Sequence, residues 1–397
     1  MSAAFNVDVA IIGGGIAGLW LLARLREQGY AALLIENAQL GAGQTLCAQG
    51  IIHGGAKYGL HGQAGQTAEA VAGMPDLWRR CLRGEAAIDL RGAALLAEHQ
   101  YLWATRTPTS RLAAFFASKL MRGRVEKVAE AGMAVDHYPP VLRHPHFHGT
   151  VYRLDEPIID VASVLTVLAE RYRDAIVRHD GPALLPADGH LTLRHTDRAP
   201  RVIQPSMTVF TAGAGNAGLP WATQQLRPLH MVMARGDHLP GPLYAHCIGA
   251  SEVPRLTVTS HYDAQGRLVW YLGGGLAEAG VHRDCDAQIR VAREELQALL
   301  PWVDWHPVEF ATFTIQRAEA HQPGGGRPAG FSVFREGQVI AAWPTKLALA
   351  PLLAEQIETV LHTLNVQPRP IDFSPLADWP RPTVGVYPWN REDLAWS

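Results

Sequence analysis

Several things that commonly decide a protein's class are scarce or missing in this chain. The four cysteines (Cys47, Cys81, Cys247, Cys285) are scattered without a CxxC pair, which argues against a disulfide framework and against a thiolate zinc site. No run reaches the roughly 20 apolar residues that a membrane span needs. The nearest candidate, residues 8–36, opens on Asp8, is interrupted by Arg24, Arg26 and Glu27, and has no Lys or Arg ahead of it, so it reads as neither span nor secretion signal. A soluble, cytoplasmic protein is the default expectation. An excess of one charge is missing too: 35 Lys and Arg stand against 37 Asp and Glu, a net charge of −2 that gives no general attraction to nucleic acid or to an anionic membrane. No repeat at solenoid spacing and no low-complexity tract is present.

Glycine, by contrast, is concentrated where it carries information. Residues 8–36 read DVAIIGGGIAGLWLLARLREQGYAALLIE: an apolar strand, Gly13-Gly14-Gly15-Ile16-Ala17-Gly18, a helix-like run to Gly29, and a second apolar strand ending in Glu36. Each part has a mechanical task in holding a dinucleotide. Gly13 permits the tight strand-to-helix turn, Gly15 lets backbone approach a pyrophosphate, and Gly18 lets the helix pack on the strand. The helix start offers unpaired N–H groups to phosphate. Glu36 stands where a carboxylate accepts ribose hydroxyl hydrogens. A lone GxGxxG is weak, but strand, glycines, helix, strand and acid in this order form a specific signal.

The remaining pattern divides the chain. Residues 41–62 carry seven glycines, so backbone there passes close to something flat or crowded. Residues 66–83 and 108–122 have helical spacing, and 87–104 read as strands turning near Arg91-Gly92. Asp160 is the expected N-cap of a helix over Val161–Tyr172. Short strands are expected at Ala175–His179 and Leu191–His195, and a buried strand at Met207–Thr211 runs into Ala212-Gly213-Ala214-Gly215. A hairpin pairs Arg255–His261 with Arg267–Gly273. Ile289–Leu300 reads as a helix, Glu309–Arg317 and Val339–Trp343 as strands, and Lys346–Leu364 as a long helix. The Pro- and Trp-rich tail from Pro368 is expected along the surface without regular structure.

Taken together, these motifs resemble the D-amino-acid oxidase/glycerol-3-phosphate dehydrogenase superfamily of FAD-dependent oxidoreductases, which includes glycine oxidase and L-2-hydroxyglutarate oxidase. The resemblance runs unevenly through residues 7–360. Ile51-Ile52-His53-Gly54-Gly55-Ala56-Lys57-Tyr58 looks like the segment beside the flavin in the glycerol phosphate and hydroxyglutarate enzymes. Thr211-Ala212-Gly213-Ala214-Gly215 looks like the second glycine motif, and Pro344-Thr345-Lys346-Leu347 like a Gly-Lys-Leu-Thr segment. Thr314-Ile315-Gln316-Arg317 sits where glycine oxidases carry a carboxylate-binding arginine. The chain departs from the pattern at Ala341-Ala342-Trp343, at Ala318 after Arg317, and at Lys57, where the glycerol phosphate enzymes carry arginine.

The fold this implies is α/β: a doubly wound, Rossmann-like FAD-binding domain (residues 1–84, 151–224 and 331–366) interleaved with an α+β substrate domain on a mixed or antiparallel sheet (85–150 and 225–330), then a surface tail (367–397). The implied contacts to FAD are Gly13, Gly15, Ile16, Ala17, Gly18, Glu36 and Asn37 at the first motif. Gln44, Thr45, Gln49, Gly50, Ile51 and His53 follow in the glycine-rich stretch, Ala212, Gly213 and Ala214 at the second motif, and Pro344, Thr345, Lys346 and Leu347 before the last helix. The implied activity is oxidation of a small anionic substrate at a CH–OH or CH–NH carbon, with oxygen or a quinone as acceptor.

Individual residues keep two readings. Lys346 suits the stabilisation of negative charge on a reduced flavin, or is a lysine snorkelling at a helix start. Arg317 suits two-point binding of a carboxylate or phosphate, or is a surface ion-pair residue. Lys57 is a second positive contact or solvated. His53 is a base for a hydroxyl proton, or a group that packs and hydrogen-bonds. Tyr58, Tyr262 and Tyr271 close the pocket or simply pack. His144, His146 and His148 alternate as metal ligands can, but no carboxylate or cysteine pair accompanies them, so no metal is expected. Cys47 reads as a small buried thiol. A 2-hydroxy acid or glycerol-phosphate-like substrate is favoured; a D-amino acid, glycine or secondary amine is the alternative, with a catalytically silent flavin binder and an NAD(P)-dependent dehydrogenase behind them.

Overall fold

The computed structural model describes residues 4–54, 71–104, 125–129, 138–182, 184–186, 188–248, 253–328 and 330–397. Along the chain, β1 (Phe5–Ile12), α1 (Ile16–Glu27) and β2 (Ala32–Glu36) make the opening βαβ unit. There follow α2 (Met74–Arg83), β3 (Leu95–Ala97), β4 (Gln100–Ala104), β5 (Val125–Ala129), β6 (Thr150–Leu154) and β7 (Ile158–Ile159). The chain continues with α3 (Val161–Arg171), β8 (Ile176–Arg178), β9 (Leu191–His195) and β10 (Arg198–Phe210). Next are β11 (Gln224–Arg235), β12 (Ala245–Ile248), β13 (Leu256–Tyr262), β14 (Leu268–Gly273), α4 (Gly275–Ala279), α5 (Cys285–Leu299) and β15 (Glu309–Ala320). Last are β16 (Ser332–Glu336), β17 (Val339–Trp343) and α6 (Ala350–Thr363).

Two sheets organise these elements. The first runs β16-β17-β10-β1-β2-β8, with β9 attached to β10. β1 is parallel to both β2 and β10, β10 to β17, and β2 to β8; β9 and β16 are antiparallel edges. From Val7 to Ile12 every residue of β1 is buried, as a central parallel strand covered on both faces requires. Its one charge, Asp8, accepts hydrogen bonds from Ala31 N–H and from the Arg369 backbone and guanidinium. Helix α1 is buried from Ile16 through Ala23, because it lies against the sheet on one side and packs on α3 and α6 elsewhere. This is the α/β fold expected, with the long-range return of β10 to β1 and of β17 to β10.

The second sheet runs β15-β11-β14-β13-β12-β4-β6-β5 and is antiparallel except where β12 and β4 run parallel. One face packs under α5 around Trp103, Trp270, Trp305 and Phe310. Side chains alternate along each strand, so the opposite face carries Leu102, His246, Thr257, Tyr271, Met231, Phe313, Arg227 and Arg317. That face looks toward the first sheet's glycine-rich stretch.

Local signals hold where short-range chemistry sets them. Asp160 caps α3 through Ser163 N–H at 3.0 Å. The hairpin turns at Gly266, φ 78°, in the left-handed region that glycine favours. Helix α5 starts four residues before the expected Ile289, because Asp284 caps it through Ala287 N–H at 2.7 Å. The last helix starts later than expected: Leu347–Leu349 form a 3₁₀ turn, and α6 begins at Ala350. The helix expected over 108–122 and part of that over 66–83 lie outside the described residues.

The C-terminal tail corrects the surface expectation. It lacks strands and α-helices, but Phe373, Leu376, Trp379 and Trp389 are buried. Apolar aromatic area is what drives this, since each such ring buries far more surface than a loop residue. Among the described residues no helix is long and apolar enough to cross a membrane.

Candidate active site

The glycine motif makes the first wall. Gly13 has φ 107°, and a Cβ on it would stand 2.6 Å from the Ala212 Cα, so the first and second glycine motifs touch through this residue. A Cβ on Gly18 would run into the Gly13 carbonyl oxygen, which fixes the closeness of α1 to the turn. The Thr211 hydroxyl lies 3.0 Å from that same carbonyl and donates into the turn. Gly15 has no side chain to cap α1, and the Thr45 hydroxyl accepts the Ile16 N–H instead, at 3.1 Å. The N–H groups of Ala17 and Gly18 follow in the first turn, where no carbonyl lies within the helix to accept them. Glu36 Oε2 accepts from Gly14 N–H at 2.5 Å, and Oε1 accepts from the N–H groups of Asn37 and Ala38, both at 2.8 Å. The acid thus stiffens the loop, and Oε2 keeps a lone pair free for a hydroxyl.

From here residues 44–53 thread between the two sheets. The Gln44 side-chain amide oxygen accepts Ala318 N–H, directly after Arg317, at 3.0 Å. Gln49 donates to the Tyr271 carbonyl at 3.0 Å, and the Tyr271 hydroxyl donates to the Cys47 carbonyl at 2.8 Å. Gly50 has φ 70° and lies so close to the Ile159 carbonyl that a Cβ would collide with it, and Ile51 bridges to Ile158. At the end of the stretch, His53 Nδ1 sits 3.0 Å from Glu156 Oε2, while Glu156 Oε1 accepts Gly54 N–H at 2.9 Å. The His53 ring lies 6.0 Å from that of His246 with their planes 13° apart. His246 is anchored in turn by Nδ1 to the Thr257 hydroxyl at 2.7 Å.

Arg317 lies at the far end of the same sheet face. It is directly opposite Arg227 on β11, a like-charge pairing that costs stability unless countered. Arg227 is countered: its guanidinium grips buried Glu319 at 2.7 and 3.0 Å. Among the described residues, Arg317 has a 3.7 Å approach to Glu278 as its nearest counter-charge and donates to the Arg227 carbonyl. Burial first, then the Arg227 charge, brings the Arg317 guanidinium down to about 10. It remains a cation at neutral pH, short of counter-charge, in a half-buried position.

The segment after β17 completes the seam. Asn216, fully buried, accepts Ala212 N–H at 3.0 Å and donates to the Ala342 carbonyl at 3.4 Å, tying the second glycine motif to β17. Thr345 has φ 59°, uncommon for a β-branched residue, and Lys346 stands immediately ahead of the 3₁₀ turn. The Thr345 hydroxyl and the Trp343 Nε1–H are buried without a partner among the described residues. Buried orphan groups of this kind occur where a bound molecule supplies the missing partner. Close-approach glycines, a helix N-terminus with free donors and these two orphans fit an extended dinucleotide cofactor.

Other candidates fall elsewhere. Lys57 and Tyr58 lie outside the described residues. Tyr262 ends β13 with 58% of its surface exposed, at the hairpin. Tyr271 is fully buried, stacked 6.3 Å from Phe313, with its hydroxyl engaged by Cys47. Burial also pushes the Cys47 thiol up to about 11, so it is no thiolate. His144 lies flat on Trp302, 5.2 Å away. Sequence reading missed Glu156, His246, Arg227 and Glu319. It also missed Asn216, the one with a visible signal: a lone amide inside a run of glycine and alanine.

Comparison with known proteins agrees with this geometry. Residues 8–336 match the family model described as DAO, FAD dependent oxidoreductase. The chain is 44% identical to the FAD-dependent oxidoreductase PA4991 of Pseudomonas aeruginosa, over 98% of this chain and 99% of that protein. The crystal structure of PA4991 superposes with a TM-score of 0.82, covering 98% of this chain and 99% of that one at 39% identity. More distant folds include glycine oxidase from Geobacillus kaustophilus (TM-score 0.64, 16% identity, 94% of this chain and 98% of that one). FAD-bound L-alpha-glycerophosphate oxidase from Mycoplasma pneumoniae is similar at TM-score 0.64 and 12% identity, over 97% and 98% of the two chains. The family model and the 44% identical relative together show it: the chain belongs to the DAO family of FAD-dependent oxidoreductases.

Proposed function

We propose that the protein oxidises a small anionic substrate at a CH–OH carbon, of the 2-hydroxy acid or glycerol-phosphate kind. Arg317, a half-buried cation short of counter-charge among the described residues, carries the anionic substrate, and His53, bonded to Glu156 in the glycine-rich stretch, carries the CH–OH carbon. A carboxylate or phosphate restores the balance with a two-point contact. Arg317 therefore anchors the substrate, with Lys57 as a second contact. His53 accepts the hydroxyl proton, and Lys346 opposes negative charge that builds on the cofactor during reduction.

FAD, when bound, takes the hydrogen and two electrons from the substrate carbon, and oxygen or a quinone takes them onward. Its pyrophosphate is assigned to Gly13, Gly15, Ile16, Ala17 and Gly18, its ribose to Glu36 and Asn37. Its remaining length is assigned to Gln44, Thr45, Gln49, Gly50, Ile51, Ala212, Gly213, Ala214, Pro344, Thr345 and Leu347. The same reading divides the chain into a cofactor domain (1–84, 151–224, 331–366) and a substrate domain (85–150, 225–330). An amino acid or secondary amine oxidase is the second reading, supported by Arg317 as well, because an amino acid presents the same carboxylate.

Anaerobic mixing with L-2-hydroxyglutarate, glycerol phosphate, D-amino acids, glycine and sarcosine, with the flavin absorbance followed, separates the two. Bleaching by a hydroxylated acid or phosphate is expected. Bleaching by amines alone transfers the assignment to the second reading, and an oxidised flavin throughout removes both. Arg317→Leu is expected to raise KM by roughly 10- to 100-fold with FAD retained, the cost of a hydrogen bond to a charged group. An unchanged KM takes Arg317 out of the site.

A further inference from the structure

Glu156 is almost fully buried, at 2% exposure, yet it carries a carboxylate. Burying that charge is costly, and it is tolerated only when its oxygens are well satisfied. One oxygen takes the Gly54 N–H at 2.9 Å, and the other faces His53 Nδ1 at 3.0 Å. Both partners belong to the stretch that threads the cofactor seam, so Glu156 fixes the backbone and the ring of one residue pair at once. A carboxylate only accepts, so Nδ1 of neutral His53 carries the hydrogen and Nε2 is the ring's basic nitrogen. Among the described residues, Glu156 from the segment ahead of β7 and His246 from β12, whose own ring is held by Thr257, bear directly on His53.

We infer that Glu156 is a positioning residue that holds His53 in the Nδ1–H tautomer as the base for a substrate hydroxyl. The inference rests on the CH–OH reading above and sharpens it. An alcohol requires a base when it is oxidised: its O–H bond breaks, the proton goes to Nε2 of His53, and the electron pair left on oxygen becomes the C=O π bond. The carbon's hydrogen leaves with its own pair for FAD. A neutral amine already offers a lone pair on nitrogen and needs no such base. A neutral imidazole hydrogen-bonded to a buried carboxylate beside the seam is therefore apparatus for a hydroxyl.

Two measurements test it on the FAD-loaded enzyme. The first is ¹⁵N NMR of the histidine rings, with the His53 signal identified by its loss in His53→Gln. The expected wild-type signature is Nδ1–H with an unprotonated Nε2, shifting toward Nε2–H in Glu156→Gln; an Nε2–H tautomer in the wild type overturns the inference. The second is steady-state kinetics of Glu156→Gln on whichever hydroxylated substrate bleaches the flavin. The expected result is a fall in kcat of about 100-fold, typical of a lost general base, with KM within twofold and FAD content unchanged. A kcat equal to wild type overturns the inference while leaving the substrate reading intact. Bleaching by amines alone fails the substrate reading first, and the proton-transfer role with it. If Glu156→Gln does not fold, the wild-type tautomer decides by itself.

Discussion

Gly18 is where a single atom has the clearest consequence. A Cβ at that position meets the Gly13 carbonyl and the Thr211 hydroxyl, both parts of the turn assigned above to the cofactor phosphates. Neither can retreat easily: Thr211 N–H is bonded to the Ile12 carbonyl at 2.8 Å, and Gly13 is pressed on Ala212. Gly18→Ala is therefore expected to destabilise by about 1–3 kcal/mol, the usual cost of overpacking, and to release FAD. Thermal melting and the flavin-to-protein absorbance ratio check this; a variant that purifies with full FAD and an unchanged Tm contradicts it. Gly18 was legible in the sequence because its task is local, set by a strand and a helix only a few residues apart. Glu36 was legible only by position. Its bonds to three neighbouring N–H groups depend on how the loop after β2 folds back.

At the scale of elements, β13 meets the C-terminal tail through His261. The imidazole is stacked 4.2 Å from Trp389, and its Nε2 is 3.1 Å from the Thr259 hydroxyl. Burial pushes this histidine down from 6.5 to about 3. The unfolded chain therefore binds a proton that the folded chain refuses. The stabilising contribution of neutral His261 is complete above pH 6.5 and is lost progressively as pH falls toward about 3. Urea unfolding between pH 7 and 5 should show stability falling more steeply in the wild type than in His261→Phe. The difference approaches about 1.4 kcal/mol per pH unit at the acid end. Equal slopes would mean the ring is solvated or unstacked. The hairpin that carries His261 was readable from its strand–turn–strand pattern. The partner stacked on it was not, because the tail has no period to read.

The tail matters most at the scale of the whole molecule. Leu40 N–H binds the Thr383 carbonyl and Gly385 N–H binds the Leu40 carbonyl, beside the glycine-rich stretch. The Tyr387 hydroxyl donates to the Asp160 carboxylate at 2.7 Å and accepts Ala162 N–H, joining the cap of α3. Trp389 then packs on Tyr271 and Phe313's cluster, Arg235 lies 3.8 Å over the Trp396 ring, and Ser397 pairs with Phe310 in both directions at 2.9 Å. One strap thus spans from the cofactor-side sheet to the edge strand of the other. Trp389→Ala is expected to cost about 3–5 kcal/mol, and removal of residues 384–397 more, with a broader unfolding transition as the two sheets come apart separately. Calorimetry reads both; a truncated protein with a single sharp transition at the wild-type Tm would show the strap to be dispensable.

By itself the sequence determined whatever depends on short-range geometry. The β1–glycine–α1 turn, the Asp160 cap, the hairpin at Gly266 and the apolar strands of the first sheet all follow from steric limits and periodicities acting over a few residues. Only the tertiary structure decided which distant groups meet. Glu156 reaches His53 across 103 positions, and Arg227 stands opposite Arg317 across 90. A period tells which face of a strand is buried but not which strand lies beside it or in what register. Those choices come from packing two cores against one seam, where long side chains from distant strands find their partners.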